Sequence, residues 1–589
     1  MNNTEIKIQL KDWQLLVRFA KYFRPHKKWL SYSLISIPIT TAASVLFLYL
    51  VQSIIDNYII AGNLEGLKWQ SLALFFVLII NILFDGTYSY SFVKAGGLTI
   101  MDVRKKMFAK AIRFPSKYYD KNPIGITLSR LTSDLDAIAE SFASGILGLL
   151  ADSIKTIALT IYLFCINWKL ALAAIILLPA IMLIIQFLRK KMRKAFFAAR
   201  ASLAKSAAYL QEALYGIKTI QLYAAKDEVF KKYDKLNKDF SDAQNHSNIY
   251  DSTLYSVIDG ITTIATALVI ALGAILIGNQ NLTIGILIVF ITSLERLFVP
   301  IRQFAQQVST IQRALSSLDH LSDLFDTKIE EDDSVLQNQK NDSQEINIQE
   351  IEFKNVYFRY SDDGDDVLKN ISFKLNKGNR IALVGTTGSG KSTIIKLLAK
   401  NYNNYRGSIK INGHELSDLS IHLVRKAISV MQQDIFMFND TINFNIALGR
   451  DNISTDDVKA AAEFVCANQF IEKLPQQYNH LIKDNGTNLS KGQAQLLSFA
   501  RAIAGKSDLI ILDEATSSVD SITEQAIQQA IANIFDKKTV IAVAHRLSTI
   551  KNSDLILVLD KGEIIEQGNH QDLIDMHGKY AQLVQKLDS

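Results

Sequence analysis

From Trp29 to Ile55 the chain carries no charged side chain. That run exceeds the ~20 residues an α-helix needs to cross a bilayer. Inside hydrocarbon the backbone must satisfy its own hydrogen bonds, so the stretch can only be a membrane helix or be buried in protein. Mostly apolar runs follow at about 69–93, 141–164, 170–188, 258–278 and 282–305. Together they predict about six helical spans in the first half. The 589 residues are 49% hydrophobic with mean hydropathy +0.12, yet 21% are charged, so part of the chain lies in a bilayer and part in water. A net charge of +6 is small for this length and gives a nucleic-acid partner no support. The two cysteines, Cys165 and Cys466, lack metal-ligand spacing and read as ordinary buried residues.

Residues 1–28 hold too many charges for a signal peptide. Leu10, Trp13, Leu16, Phe19 and Phe23 instead predict an amphipathic helix lying along the membrane surface. The connections between spans alternate in length. "INWK" and "GNQNL" are short, whereas about 94–140 and 189–252 are long and carry the cations: Arg104, Lys105, Lys106, Lys110 and Arg113, then Arg189, Lys190, Lys191, Arg193 and Lys194. Positive charge stays on the cytoplasmic side, which predicts that the long loops and both termini are cytoplasmic. Leu203, Ala207, Leu210 and Leu214 keep helical spacing, so the spans are expected to continue into the cytoplasm as helices.

Asp85, Asp152, Lys155, Asp259 and Glu295 interrupt the apolar runs. An ionisable group at bilayer depth is costly and should face protein or water. Two readings fit: a polar translocation path, or a structural pair in which Asp152 and Lys155, one turn apart, neutralise each other. Pro38 and Pro179 read as helix kinks.

Beyond Ser316 the pattern changes. The stretch "KIEEDDSVLQNQKNDSQEINIQE" is acidic and aperiodic, a linker. After it, strand and helix patterns alternate in a soluble α/β domain. The expected organisation is an N-terminal amphipathic helix (1–28), an α-helical six-span membrane domain (29–315), a linker (316–348) and an α/β nucleotide-binding domain (349–589).

The strongest local signal is "IALVGTTGSGKSTIIKLLAK". A β-branched strand runs into Gly385, Thr386, Thr387, Gly388, Ser389, Gly390, Lys391, Ser392 and Thr393, and an apolar helix follows. This is the G-x-x-x-x-G-K-[ST] phosphate loop in its proper strand–helix setting. The glycines let backbone N–H groups converge on phosphate oxygens, and the helix N-terminus adds its dipole. Lys391 is placed to reach the β/γ-phosphates of ATP, and Ser392 to ligate Mg2+. In "DLIILDEATSSVD" a buried strand ends in Asp513 and Glu514. Asp513 is placed to hold Mg2+, and Glu514 to orient or deprotonate the attacking water. Gln433, in "ISVMQQDIFMF", is placed to bridge Mg2+ and that water. His545 ends another buried strand, where it either touches the γ-phosphate or is structural. Tyr360, after an early strand, offers a ring for adenine.

In this order, Tyr360, the 385–393 loop, Gln433, "LSKGQ", "LDEATSSVD" and His545 closely resemble the ATP-binding-cassette (ABC) family, over nearly the whole chain. The membrane half resembles the type IV exporter half-transporters, nearest the bacterial MdlB/SmdB multidrug group. Within it "YYDKNPIGITLSRLTSDLDAI" and "YGIKTIQLYAAKDEVF" resemble that family's two coupling loops. The resemblance implies that Ser490, Gly492 and Gln493 open a helix whose positive end completes the ATP site of an opposing cassette. Lys491 stands where the family usually has glycine, and Asp484 where it usually has glutamate. Altered signatures accompany pairs of unlike subunits, which favours a heterodimer over a homodimer. The implied activity is ATP-driven export of drugs or other small amphipathic molecules across the lipid bilayer. The alternatives are a lipid flippase on the same architecture and a nucleotide-gated channel or regulator.

Overall fold

The computed structural model describes residues 12–142, 147–176, 178–279, 282–330, 346–361, 364–432, 434–513, 521–543 and 550–588. The chain divides into two units. One holds the residues up to Ile112 together with Pro123–Thr327; the other holds Arg113–Asn122 and everything from Lys328 onward.

The first unit is helical. Its main elements are α1 (Asp12–Ala20), α2 (Lys27–Ser53), α3 (Leu64–Ala111), α4 (Leu147–Ile166), α5 (Trp168–Ile175), α6 (Leu178–Tyr215), α7 (Lys226–Gly278) and α8 (Ile284–Asp326). The expected spans overlap these helices, with residues 143–146 and 177 lying outside the described residues. Among the described residues, four segments are long and apolar enough to cross a membrane: Val17–Ile59, Leu64–Ala111, Gly148–Ile166 and Lys226–Gly278. α3 has 48 residues and α7 has 53. At ~1.5 Å per residue both far exceed the ~30 Å hydrocarbon core, as expected of spans that continue beyond the membrane. Asn167 makes the tight turn from α4 to α5, its side chain accepting the N–H groups of Lys169 and Leu170 at 3.1 and 3.2 Å. Leu48, Leu163, Leu170, Val269, Phe290 and Leu294 form the core between α2, α4, α5, α7 and α8.

Pro179 is the second described residue of α6, and Leu177, between α5 and α6, lies outside the described residues. Several local expectations change. α8 runs on to Asp326, beyond 315, because Leu318, Leu321 and Leu324 continue its buried face. The apolar side of α1 is spent on protein: Leu15, Phe19 and Phe23 are buried, and Phe19 stacks on Phe142 at 5.3 Å. Arg18 forks onto Asp326 at 2.6 and 2.9 Å, tying this helix to the end of α8. Leu10 lies outside the described residues, as do the side chains of Trp13 and Leu16. Neither cysteine is buried. Cys165 is exposed on α4, whose outer face suits lipid, and Cys466 is half-buried in a turn.

The second unit carries two sheets. β1 (Glu350–Phe358), β2 (Leu368–Asn376), β4 (Arg406–Ile411) and β5 (His414–Glu415) form an antiparallel sheet in the order β2-β1-β4-β5. β3 (Arg380–Gly385), β6 (Ile428–Met431), β7 (Leu509–Asp513), β8 (Thr539–Val543), β9 (Leu555–Asp560) and β10 (Glu563–Gly568) form a second, in the order β10-β9-β3-β8-β7-β6. All its pairs are parallel except β9 with β10. Parallel strands are covered on both faces and read as continuous apolar runs. "IALV", "LIIL" and "TVIAV" do so. One core lies between the two sheets; a second joins β7 and β8 to the helical segments of 442–504 and 521–537.

The outer end of β3 is clamped. Asp554 accepts the backbone N–H of Arg380 at 2.9 Å and a forked guanidinium at 3.0 and 2.8 Å. The Arg380 hydrogen bond holds the Asp554 carboxyl below its usual range. A carboxylate whose folded pKa is depressed contributes stability above its unfolded value of ~3.9 and loses that contribution as pH falls through the folded value. The pair is partly exposed, so Asp554→Asn should cost only about 1 kcal/mol at neutral pH. In thermal unfolding of the purified protein, the difference from wild type should shrink below pH ~4.

Candidate functional site

Open α/β sheets bind ligands beyond the carboxyl ends of their strands. Leu383 of β3 and Asp513 of β7 both pair with Val543 of β8, so these positions of three neighbouring strands lie level. The phosphate loop leaves β3 at that edge and enters α9 (Lys391–Leu398). Gly390 has φ +105°, and a Cβ there would lie 2.6 Å from Leu368 Cδ2. At Gly385 it would meet the carbonyl oxygen of Leu559 at 2.2 Å. Only glycine can draw the backbone this tightly over the sheet edge.

Within the loop, Thr386, Thr387 and Gly388 are exposed, as is Ser392 at the first turn of α9. Lys391 is buried, and its Nζ donates to the carbonyls of Gly385 and Thr386 at 2.8 and 2.9 Å. Burial pushes its ammonium down; the Asp513 carboxylate opposes that shift. Ser389 is 2% exposed, and its hydroxyl has no hydrogen-bond partner among the described residues. An orphaned buried hydroxyl beside a glycine cradle at a helix N-terminus fits a polyphosphate. Tyr360 and Thr393 share a hydrogen bond of 3.0 Å, which fixes the tyrosine ring beside the loop. Among the described residues no cluster of three His, Cys or acidic side chains forms a metal cage. The Ser392 hydroxyl and the Asp513 carboxylate are the hard oxygen donors that Mg2+ takes in small number when phosphates complete its shell. Gln433, Glu514 and His545 lie outside the described residues. In sequence Glu514 is the residue after Asp513, and His545 follows Val543 by two.

The "LSKGQ" stretch opens α10 (Lys491–Ala504) through a capping box. Ser490 Oγ accepts the Gln493 N–H at 3.2 Å, and Gln493 Oε1 accepts the Ser490 N–H at 2.9 Å. Gly492 is buried beneath this turn, while Lys491 is exposed. Asp484 is also exposed, in left-handed backbone at φ +45°. At the far end of α10, Arg501 donates to the carbonyls of Asn445 and Phe436 at 2.8 and 3.1 Å, which ties the helix to the segment following Gln433.

A cavity of about 350 Å³ opens among the membrane helices, lined by Ser44, Asp152, Lys155, Thr156, Glu295, Arg296 and apolar neighbours. The hydrogen-bonded partner of Lys155 is Asp85 on α3, at 2.8 Å, not Asp152 one turn away. That replaces the intrahelical pair of the sequence reading with a bridge between α3 and α4. Asp152 and Glu295 line the cavity, and the Thr156 hydroxyl there has no hydrogen-bond partner among the described residues. Asp259 is exposed on α7. Sequence reasoning missed Arg296, although a cation beside Glu295 in an apolar run was visible.

These features define a P-loop nucleotide-hydrolysing domain on a polytopic membrane chain. Residues 30–301 match the ABC transporter transmembrane region, and residues 368–517 match the ABC transporter cassette. The chain is 32% identical to an uncharacterized ABC transporter ATP-binding protein, YknV, of Bacillus subtilis over 582 residues, covering 97% of this chain and 94% of that protein. It is also 32% identical to an ATP-dependent lipid A-core flippase of Vibrio cholerae over 578 residues, 97% of each. A bacterial Atm1-family ABC exporter solved with ATP bound superposes with a TM-score of 0.76 at 26% identity, over 96% of this chain and 98% of that one. The chain belongs to the ABC transporter family. It is a multi-pass membrane half-transporter that works as a dimer and hydrolyses ATP to drive export.

Lys391→Met keeps the stem and removes the charge that faces the loop. It should weaken ATP binding at least about tenfold, the scale of a lost charge-assisted contact. Titration with a fluorescent nucleotide reads the affinity, and a retained melting temperature separates it from misfolding.

Proposed function

We propose that this chain is one half of a two-cassette pump that moves small cationic amphiphiles outward across the bacterial inner membrane, both termini lying in the cytoplasm. The cavity carries the substrate reading. Counting Asp85 with its lining, Asp85, Asp152 and Glu295 outnumber Lys155 and Arg296, which leaves a net negative site of small volume. An excess of carboxylate around a cavity among membrane helices favours a cation with an apolar body.

In the nucleotide cycle, Tyr360 stacks on adenine and the 385–393 loop cradles the phosphates. Lys391 exchanges the carbonyls of Gly385 and Thr386 for β/γ-phosphate oxygens. Ser392, Asp513 and Gln433 hold Mg2+, which neutralises phosphate charge when bound. Glu514 orients and deprotonates water, and His545 contacts the γ-phosphate. Ser490, Gly492 and Gln493 are offered to the opposing cassette, with the dipole of α10 behind them. ATP binds the closed pair far better than the open one, so binding closes the cassettes and turns the cavity outward; hydrolysis resets it. Lys491 in the signature favours an unlike partner subunit over a second copy.

A second reading, lipid export, is favoured by the names of the relatives: several are lipid A-core flippases at about a third identity over nearly full length. Reconstituted ATPase separates the two. Lipophilic cations should stimulate hydrolysis, and Asp152→Asn should raise the half-stimulating concentration about tenfold, the cost of one lost ionic contact. Stimulation by lipid A alone, unaffected by that change, defeats the cation reading. Glu514→Gln should abolish steady-state hydrolysis and export while leaving ATP binding intact. A protein whose transport survives that substitution is a gated channel or regulator, not a pump.

A further inference from the structure

Lys155 is a single ammonium beside two carboxylates. Its Nζ donates to Asp85 Oδ1 on α3 at 2.8 Å. Asp152 stands one turn back on the same helix, α4, close enough to feel the charges of both Lys155 and Asp85. Lys155 and Asp152 line the cavity of about 350 Å³ from α4, and Glu295 and Arg296 line it from α8. Val45, Leu48 and Leu159 give it an apolar wall. The Lys155 side chain is still 29% exposed, so its bond to Asp85 does not seal it off.

Charge at bilayer depth has to be balanced locally, because hydrocarbon supplies no water to do it. Lys155 balances Asp85. Glu295 and Arg296 are neighbours in sequence and cancel in charge, and the Arg296 guanidinium also lies 5.2 Å from the centre of the Phe47 ring. The carboxylate left over is Asp152. Asp85, Asp152 and Glu295 set against Lys155 and Arg296 leave the site one negative charge. A ligand with one positive centre completes that balance. A second positive centre would meet an ammonium where it needs a carboxylate, and could take Asp85 only by stranding Lys155 without a partner.

We infer that Lys155 sets the valence of the cation this cavity takes: by holding Asp85 it leaves a single uncompensated carboxylate, so the site accepts a body with one positive charge and refuses one with two. The inference rests on the cationic-substrate reading proposed above and deepens it. Lys155 is in effect a tethered occupant of a second cation subsite. Removing its charge opens that subsite, and removing Asp85 as well abolishes it.

Equilibrium dialysis of the purified full-length assembly, nucleotide-free in discs of zwitterionic lipid, tests this with two probes of one body. They are 1-benzyl-4-(4-pyridyl)pyridinium, singly charged at neutral pH, and its N-methylated, doubly charged form. Wild type should hold the monocation at least about tenfold more tightly than the dication, the scale of one ionic contact. Lys155→Met should reverse that order, and Lys155→Arg should keep it. Asp85→Asn, which brings the count to zero, should weaken the monocation at least about tenfold. Lys155→Met combined with Asp85→Asn should restore the wild-type order, and it strands no charge that could unfold the helices. An unchanged order in a folded Lys155→Met protein overturns the inference. So does an unaltered monocation affinity in Asp85→Asn, or a double variant that prefers the dication. Equal binding of both probes by wild type overturns the valence rule and leaves the cation reading standing; binding of neither overturns both.

Discussion

Three parallel strands share one register, and the chemistry of this chain depends on it. β3, β7 and β8 are held by backbone pairing that brings Leu383, Val543 and Asp513 into line. A shift of one residue in any of them would turn its buried side chains toward the wrong face. The phosphate loop and the Asp513 carboxylate both lie at this level of the sheet. The loop can then wrap tightly only because glycine stands at 385 and 390, where any side chain would strike the neighbouring strand or Leu368. The catalytic neighbourhood is thus set by hydrogen bonds and the absence of side chains before any charged group takes part.

The membrane unit solves a different problem, that of keeping charge inside apolar helices. Lys155 and Asp85 come from different helices, α4 and α3, so each neutralises the other only when the two pack together. Removing one partner of such a pair strands the other, which costs more than removing both. The pairing therefore links the register of α3 and α4 to the presence of charge near the cavity. Asp152 and Glu295 remain as further acidic liners. The same groups that make the site polar also fix how the helices meet.

Much of this was legible in the residues. Long charge-free runs predicted the spans, because hydrocarbon leaves the backbone so few options. The phosphate loop was legible because strand, glycines, lysine and helix must occur together. Charge pairing was not: Lys155 lies one turn from Asp152, yet the geometry gives its hydrogen bond to a residue 70 positions earlier. Local spacing describes one helix, whereas the choice of partner belongs to the packing of two. Tyr402 carried no signal at all: nothing in "KNYNNY" distinguishes a surface tyrosine from one buried against Tyr360 and Phe358. The amphipathic side of α1 was visible, but whether it met lipid or Phe142 was decided elsewhere in the chain.

α7 is an unbroken helix of 53 residues, about 80 Å from end to end. No proline interrupts it, so it bends little and swings as a rod. A rotation of about 5° about one end carries the other through about 7 Å on this length. Such a rod trades angle for distance: adjustments too slight to disturb side-chain packing at the pivot become, at the tip, a travel greater than a full helical turn.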